Sequence, residues 1–190
     1  MFSFKAAYLS SEYDVEQICI PERELSQAEL EALNFASACY RTEQAALRLT
    51  ARAEQYNFGL IRKLESRGHS ASCVLAVVGV LSFEDIINDS RYASLWIQSH
   101  LARQSGVSPR ALAESLRRRG LSRSAVQGAL SSVLDEETEA ALLRSYLEKN
   151  RRRPVSRFRA AEEGSLRQLL RYEGFSPDLI DRFREECILL

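Results

Sequence analysis

Glycine and proline are scarce, at 8 and 4 of 190 residues. A chain so poor in turn residues lacks what β-hairpins need, which favours an all-α fold. The four cysteines, Cys19, Cys39, Cys73 and Cys187, stand far apart, with no CxxC pair and no Cys/His cluster. That spacing suggests neither a zinc site nor a disulfide framework, and they read as buried thiols in a reducing cytoplasm. No apolar run has the length of a membrane span and no signal-peptide pattern opens the chain, so a cytoplasmic protein without a membrane partner is expected. Gly-rich phosphate loops, GxSxG and HExxH are all missing. His69 and His100 are far apart and have no cysteine nearby. No enzyme, cofactor or metal centre is expected from such a sequence.

Net charge is also zero, but it is unevenly spread. Residues 1–40 carry 2 basic and 7 acidic side chains, whereas residues 101–160 carry 13 basic and 6 acidic. An acidic head and a basic centre permit a polyanionic or acidic partner without demanding one.

What the chain does have is a sentence written three times. Aligned on Gly68, Gly120 and Gly174, it carries leucine eight residues before (Leu60, Leu112, Leu166) and four before (Leu64, Leu116, Leu170). Serine follows two after (Ser70, Ser122, Ser176), and an aliphatic residue six after (Val74, Val126, Ile180). The spacing predicts a helix, a left-handed glycine stop, a serine cap and a second helix. The glycines stand 52 and 54 residues apart, a period that signals tandem helical repeats. The expected fold is all-α, with tandem helical repeats over residues 42–81, 82–134 and 135–190. An N-terminal arm and helix over residues 1–41 precede them.

Along the chain, residues 1–20 read as a small hairpin or a partly ordered arm. Ser26 and Glu29 form a capping box for a helix to about Tyr40, and Thr42 is read as the cap of the next. Asn88-Asp89 reads as the cap of a helix carrying Tyr92, Ala93, Leu95, Trp96, Ile97, Leu101 and Ala102, apolar round most of its circumference and expected at the buried centre. Tyr92 and Trp96, one turn apart, read as a core aromatic pair. Ser108-Pro109 and Ser176-Pro177 each start a helix with serine at the cap and proline in the first turn. The acids from Asp135 to Glu139 suit the start of the helix that follows.

Two basic stretches exceed what helix ends require. Arg117, Arg118 and Arg119 close a helix, and Arg123 opens the next. Lys149, Arg151, Arg152, Arg153, Arg157 and Arg159 form a denser run. Each reads as a solvated helix end or linker, or as a partner contact. The second run lacks interleaved aromatics apart from Phe158, so it is no base-stacking platform, though it can neutralise phosphate.

The register Leu60-Ile-Arg-Lys-Leu-x-x-Arg-Gly68, the join Asn88-Asp-Ser-Arg-Tyr-Ala93, and Ser108-Pro-Arg-x-Leu-x-x-x-Leu-x-x-x-Gly120 together resemble the RecX family over residues 43–187. The resemblance implies three tandem three-helix repeats in an elongated, curved array, binding to the RecA recombinase filament, and modulation, most often inhibition, of its ATPase and strand exchange; on that reading the two basic stretches would contact acidic protein surface or DNA phosphate. A monomer is expected. A direct DNA-binding protein and an adaptor for an unrelated protein stand as the alternatives.

Overall fold

The computed structural model describes residues 5–10, 12–13, 24–104, 106–151 and 163–183; for residues 151 and 163–165 only the backbone is described. Among the described residues there are nine α-helices and no strand. The helices are α1 (Gln27–Thr50), α2 (Asn57–Glu65), α3 (Ala71–Phe83), α4 (Asp89–Arg103), α5 (Pro109–Arg118), α6 (Arg123–Val133), α7 (Glu136–Arg151), α8 (Glu163–Tyr172) and α9 (Pro177–Arg182). They fall into three successive trios within two compact units. Residues 1–88 form one unit, and residues 89–190 form the other.

The thrice-written sentence folds three times alike. Gly68, Gly120 and Gly174 have φ of 86°, 94° and 89°, the left-handed region that glycine enters without a steric penalty. In each copy the residue after glycine (His69, Leu121, Phe175) donates its N–H to the carbonyl of the leucine four before glycine, at 3.3, 3.4 and 3.2 Å. Each glycine N–H bonds three residues back. This pair of hydrogen bonds satisfies helix-end carbonyls that would otherwise be orphaned. Leu64, Leu116 and Leu170 are buried, as are Val74, Val126 and Ile180 six residues after each glycine. Each such leucine contributes roughly 1.5–3 kcal/mol through removal from water.

Caps follow the sequence at Ser26, Ser70, Ser108 and Ser122, whose hydroxyls accept from the third residue onward. Ser176 departs from this pattern. Its side chain makes no cap bond; its backbone N–H donates instead to Glu139 Oε1 at 2.6 Å. Asp135 accepts from the Thr138 N–H at 2.8 Å, and hydrogen bonds from Thr138 hold its carboxyl below the usual range.

Two expectations are corrected. No break separates Tyr40 from Thr42, because α1 runs unbroken to Thr50. No glycine or proline interrupts it, and Thr42 is satisfied inside the helix: its hydroxyl bonds the Ala38 carbonyl at 2.9 Å and lies 2.8 Å from His69 Nδ1. The boundary drawn at 41/42 therefore falls within α1. Nor is α4 the buried centre. Only Ala93 and Ile97 are buried along it, on the stripe that meets α6, and Leu95 is 47% exposed.

In the first unit, α1 and α3 bury Ala36, Cys39, Ala46, Cys73, Val74, Val77 and Val78 together. Cys39 and Cys73 are free thiols in this core; burial first, then Cys73, pushes the Cys39 thiol up to about 12. Cys19 and Cys187 lie outside the described residues. Of the N-terminal stretch, Ala6–Tyr8 is a short 3-10 turn. It is docked by the buried Tyr8 ring and by an ion pair from Lys5 to Glu43, whose side chain is 1% exposed.

One glycine without a place in the repeat is constrained more tightly than those in it. At Gly106 (φ 65°) a Cβ would lie 2.6 Å from Lys149 Cδ and 2.9 Å from the Ser145 carbonyl oxygen. At Gly68 it would meet nothing within 4 Å. Gly68→Ala is therefore expected to cost about 1 kcal/mol, the left-handed penalty alone. Gly106→Ala is expected to cost about 2–3 kcal/mol, because a backbone oxygen cannot step aside cheaply. Urea denaturation of the two variants checks the ranking.

Candidate partner-binding surface

Arg117 and Arg118 form the last turn of α5, Arg119 follows as its C-cap, and Arg123 opens α6. The Gly120 turn brings them together. All four side chains are exposed, and Arg118 Nε reaches the Glu114 carbonyl at 3.4 Å. Their placement has a local cause: a helix C-terminus carries partial negative charge and favours arginine there. That need is met by one or two cations. The remainder are free to face a partner.

Arg119 has a further support that sequence did not reveal. Its guanidinium lies over the Trp96 ring, 5.2 Å from the centroid, and Trp96 stacks on His100 with centroids 4.6 Å apart and planes 19° from parallel. Both rings are half-buried, so Trp96 belongs to a surface cluster with a cation above it and not to the core. Arg110 lies similarly over Tyr172, 3.7 Å from its centroid, although Tyr172 is 62% exposed. Around that pair the second and third trios are latched together. The Arg110 N–H donates to the Glu173 carbonyl at 2.9 Å, and the Ser108 hydroxyl donates to Glu173 Oε2 at 2.6 Å. Neither Arg110 nor Tyr172 was legible in the sequence as a contact pair, since 62 residues separate them.

The other basic run is only partly on view. Lys149 is exposed on α7 and packs its stem beside Gly106. Arg151 ends that helix. Arg152, Arg153, Arg157 and Arg159 lie outside the described residues. Gly106 precedes α5, and Arg117 to Arg119 close it. The Lys149 site and the arginine turn are thus separated by the length of a ten-residue helix, about 15 Å at 1.5 Å per residue. They are two positive sites, not one patch.

Among the described residues no group of three or more His, Cys, Asp or Glu is arranged to hold a metal ion. No helix among them is long and apolar enough to cross a membrane. His69 is engaged by Thr42 and His100 by Trp96.

Residues 88–130, which contain the arginine turn, match the family model for the second three-helix domain of RecX. Regulatory protein RecX of Treponema pallidum (strain Nichols) is 34% identical over 151 residues, covering 80% of this chain and 88% of that protein. Regulatory protein RecX of Halorhodospira halophila is 30% identical over 148 residues, covering 76% and 86%. In architecture the chain is similar to a crystal structure of regulatory protein RecX, with TM-score 0.67 at 19% identity over 90% of this chain and 83% of the other. It is also similar to RecX from Lactobacillus salivarius, with TM-score 0.57 at 22% identity, covering 82% and 99%.

Proposed function

The chain belongs to the RecX family of regulatory proteins, and from that premise we propose that it binds the RecA recombinase filament in the cytoplasm and restrains its ATPase and strand exchange during recombination and DNA repair. The observation that carries this reading is the exposed arginine turn, Arg117, Arg118, Arg119 and Arg123, within the segment that the family model matches. Those four cations, with Lys149, Arg151, Arg152, Arg153, Arg157 and Arg159, meet acidic protein surface or DNA phosphate. The protein works as a monomer whose second and third repeats cover 82–134 and 135–190, with the whole of α1 belonging to the first.

No chemistry of its own is required. A protein that binds one filament state more tightly than another shifts the balance between them by its differential affinity alone. Slower ATP turnover or easier disassembly follows if the preferred state is the less active one.

A second reading draws on the aromatic-backed arginines. Trp96 under Arg119 and Tyr172 under Arg110 combine cation and ring as single-strand binders do. Zero net charge stands against it, since autonomous nucleic-acid binding rests on phosphate neutralisation. Co-sedimentation separates the two readings. The protein is expected in the pellet with RecA assembled on single-stranded DNA, and not with DNA alone. Equal pelleting with bare DNA would favour the second reading, and absence from both pellets would overturn the first.

A further inference from the structure

The first unit holds a surface that the arginine turn does not use. An open trough of about 590 Å³ runs between α1 and α3. Ala28, Ala32 and Phe35 line it from α1, and Ala76 and Val80 line it from α3. These positions fall at i, i+4 and i+7 on one helix and at i and i+4 on the other, so each helix contributes one stripe. Three of the five are alanine, and small side chains leave the depth that leucines would have filled. Phe35 is 38% exposed and nearby Leu75 on α3 is 61% exposed.

The end of the trough is built, not accidental. Ala7, Tyr8, Leu9, Ser10 and Tyr13 supply the rest of its wall; Tyr8 itself is 5% exposed, and the Lys5–Glu43 ion pair pins the turn that carries it. The Tyr8 phenol is held well above its usual value, first by burial and then by Glu43. A wall fixed this way does not fold inward to fill the space.

The rim is acidic. Glu31 lines the trough. Glu12 adjoins the lining residue Tyr13, and Glu84 lies one turn beyond Val80 and acts electrostatically on Tyr8. Along α1 no basic residue precedes Arg41, and Lys5 is spent on Glu43. Apolar floor and negative rim together specify an occupant by complementarity.

We propose that this trough docks a basic amphipathic helix of a partner protein, its apolar face laid between α1 and α3 and its lysines or arginines turned toward Glu31, Glu12 and Glu84. The mode is helix-in-groove recognition, read as anchors at i, i+4 and i+7. It is independent of the arginine turn, which favours a partner of opposite charge.

The test uses the full chain and a fluorescent helical peptide about five turns long, with leucine at i, i+4, i+7 and i+11 and lysine on its other face. Two controls share its length: one has glutamate for lysine, and one has the same composition with the leucines dispersed. The lysine peptide is expected to bind at least tenfold more tightly than either control. In the double variant Glu12→Lys, Glu31→Lys its affinity should fall at least tenfold, with the circular dichroism unchanged because both glutamates are exposed. Ala32→Trp, which fills the trough without adding charge, should abolish binding. Equal binding of the ordered and dispersed peptides would overturn the proposal by reducing it to charge attraction alone. Failure of both trough variants to alter binding would overturn it too. So would concentration-dependent self-association removed by Ala32→Trp, which would make a second copy the occupant.

Discussion

Replacing Arg117, Arg118, Arg119 and Arg123 together with glutamate is expected to weaken binding to the RecA filament by about two orders of magnitude at low salt, with the gap narrowing as salt rises. Four exposed cations become four anions on one turn, so attraction becomes repulsion at every contact that the proposed surface makes. Like-charge juxtaposition across an interface costs several kcal/mol, and rim charges act strongly on the association rate. Screening shortens the reach of these charges to about 8 Å at physiological ionic strength, hence the salt dependence. The fold should survive, because none of the four side chains is buried. Two of them do end α5, and glutamate at a helix C-terminus opposes the dipole by up to about 1 kcal/mol each. The glutamine version removes that complication and should lose a smaller share of affinity. Filament co-sedimentation across a salt series, beside thermal unfolding of each variant, separates lost contact from lost structure. Undiminished binding by the glutamate variant would remove the arginine turn from the interface.

Leu116→Ala is expected to cost about 3 kcal/mol, within the range of 2–5 seen for leucine truncation in well-packed cores. Leu116 is 0% exposed. It also supplies the carbonyl that accepts the Leu121 N–H at the helix stop, so a cavity there loosens the turn that sets the four arginines. A domain is typically stable by only 5–15 kcal/mol, so this single change removes a large fraction. Denaturant unfolding reads the loss, and hydrogen exchange should rise at the amides of α5 and α6. Leu166→Ala is the contrast. It occupies the matching position eight residues before Gly174 but is only half-buried, and it should cost much less than Leu116→Ala. Equal losses at the two sites would mean that the third copy of the motif is as tightly packed as the second.

How legible all this was depended on the range of the forces involved. The glycine stops at 68, 120 and 174 were readable because backbone sterics decide them within six residues, and each has positive φ. The caps at Ser70, Ser108 and Ser122 are equally local. Thr42 misled because a threonine next to helical sequence resembles a cap, whereas here Ala38 and the distant His69 satisfy its hydroxyl. The apolar residues of α4 suggested burial round most of its circumference, but burial depends on which neighbours arrive, and only the Ala93 and Ile97 stripe is buried. Pairing was least legible. Trp96 meets His100 and Arg119, Arg110 meets Tyr172, and the backbone of Ser145 leaves no room for a Cβ at Gly106. Trp96 and His100 lie one turn apart on α4, but the other pairs are 23 to 62 residues apart in sequence, and no local pattern announces them. The arginine run itself was plain; that the fold backs it with an aromatic ring was not.

Control of RecA turnover is read by ATP hydrolysis on single-stranded DNA, titrated with this protein at two salt concentrations. Inhibition is expected at well under one molecule per RecA, retained at the higher salt, and lost in the glutamate variant of the arginine turn. Unchanged turnover at equimolar protein would contradict it.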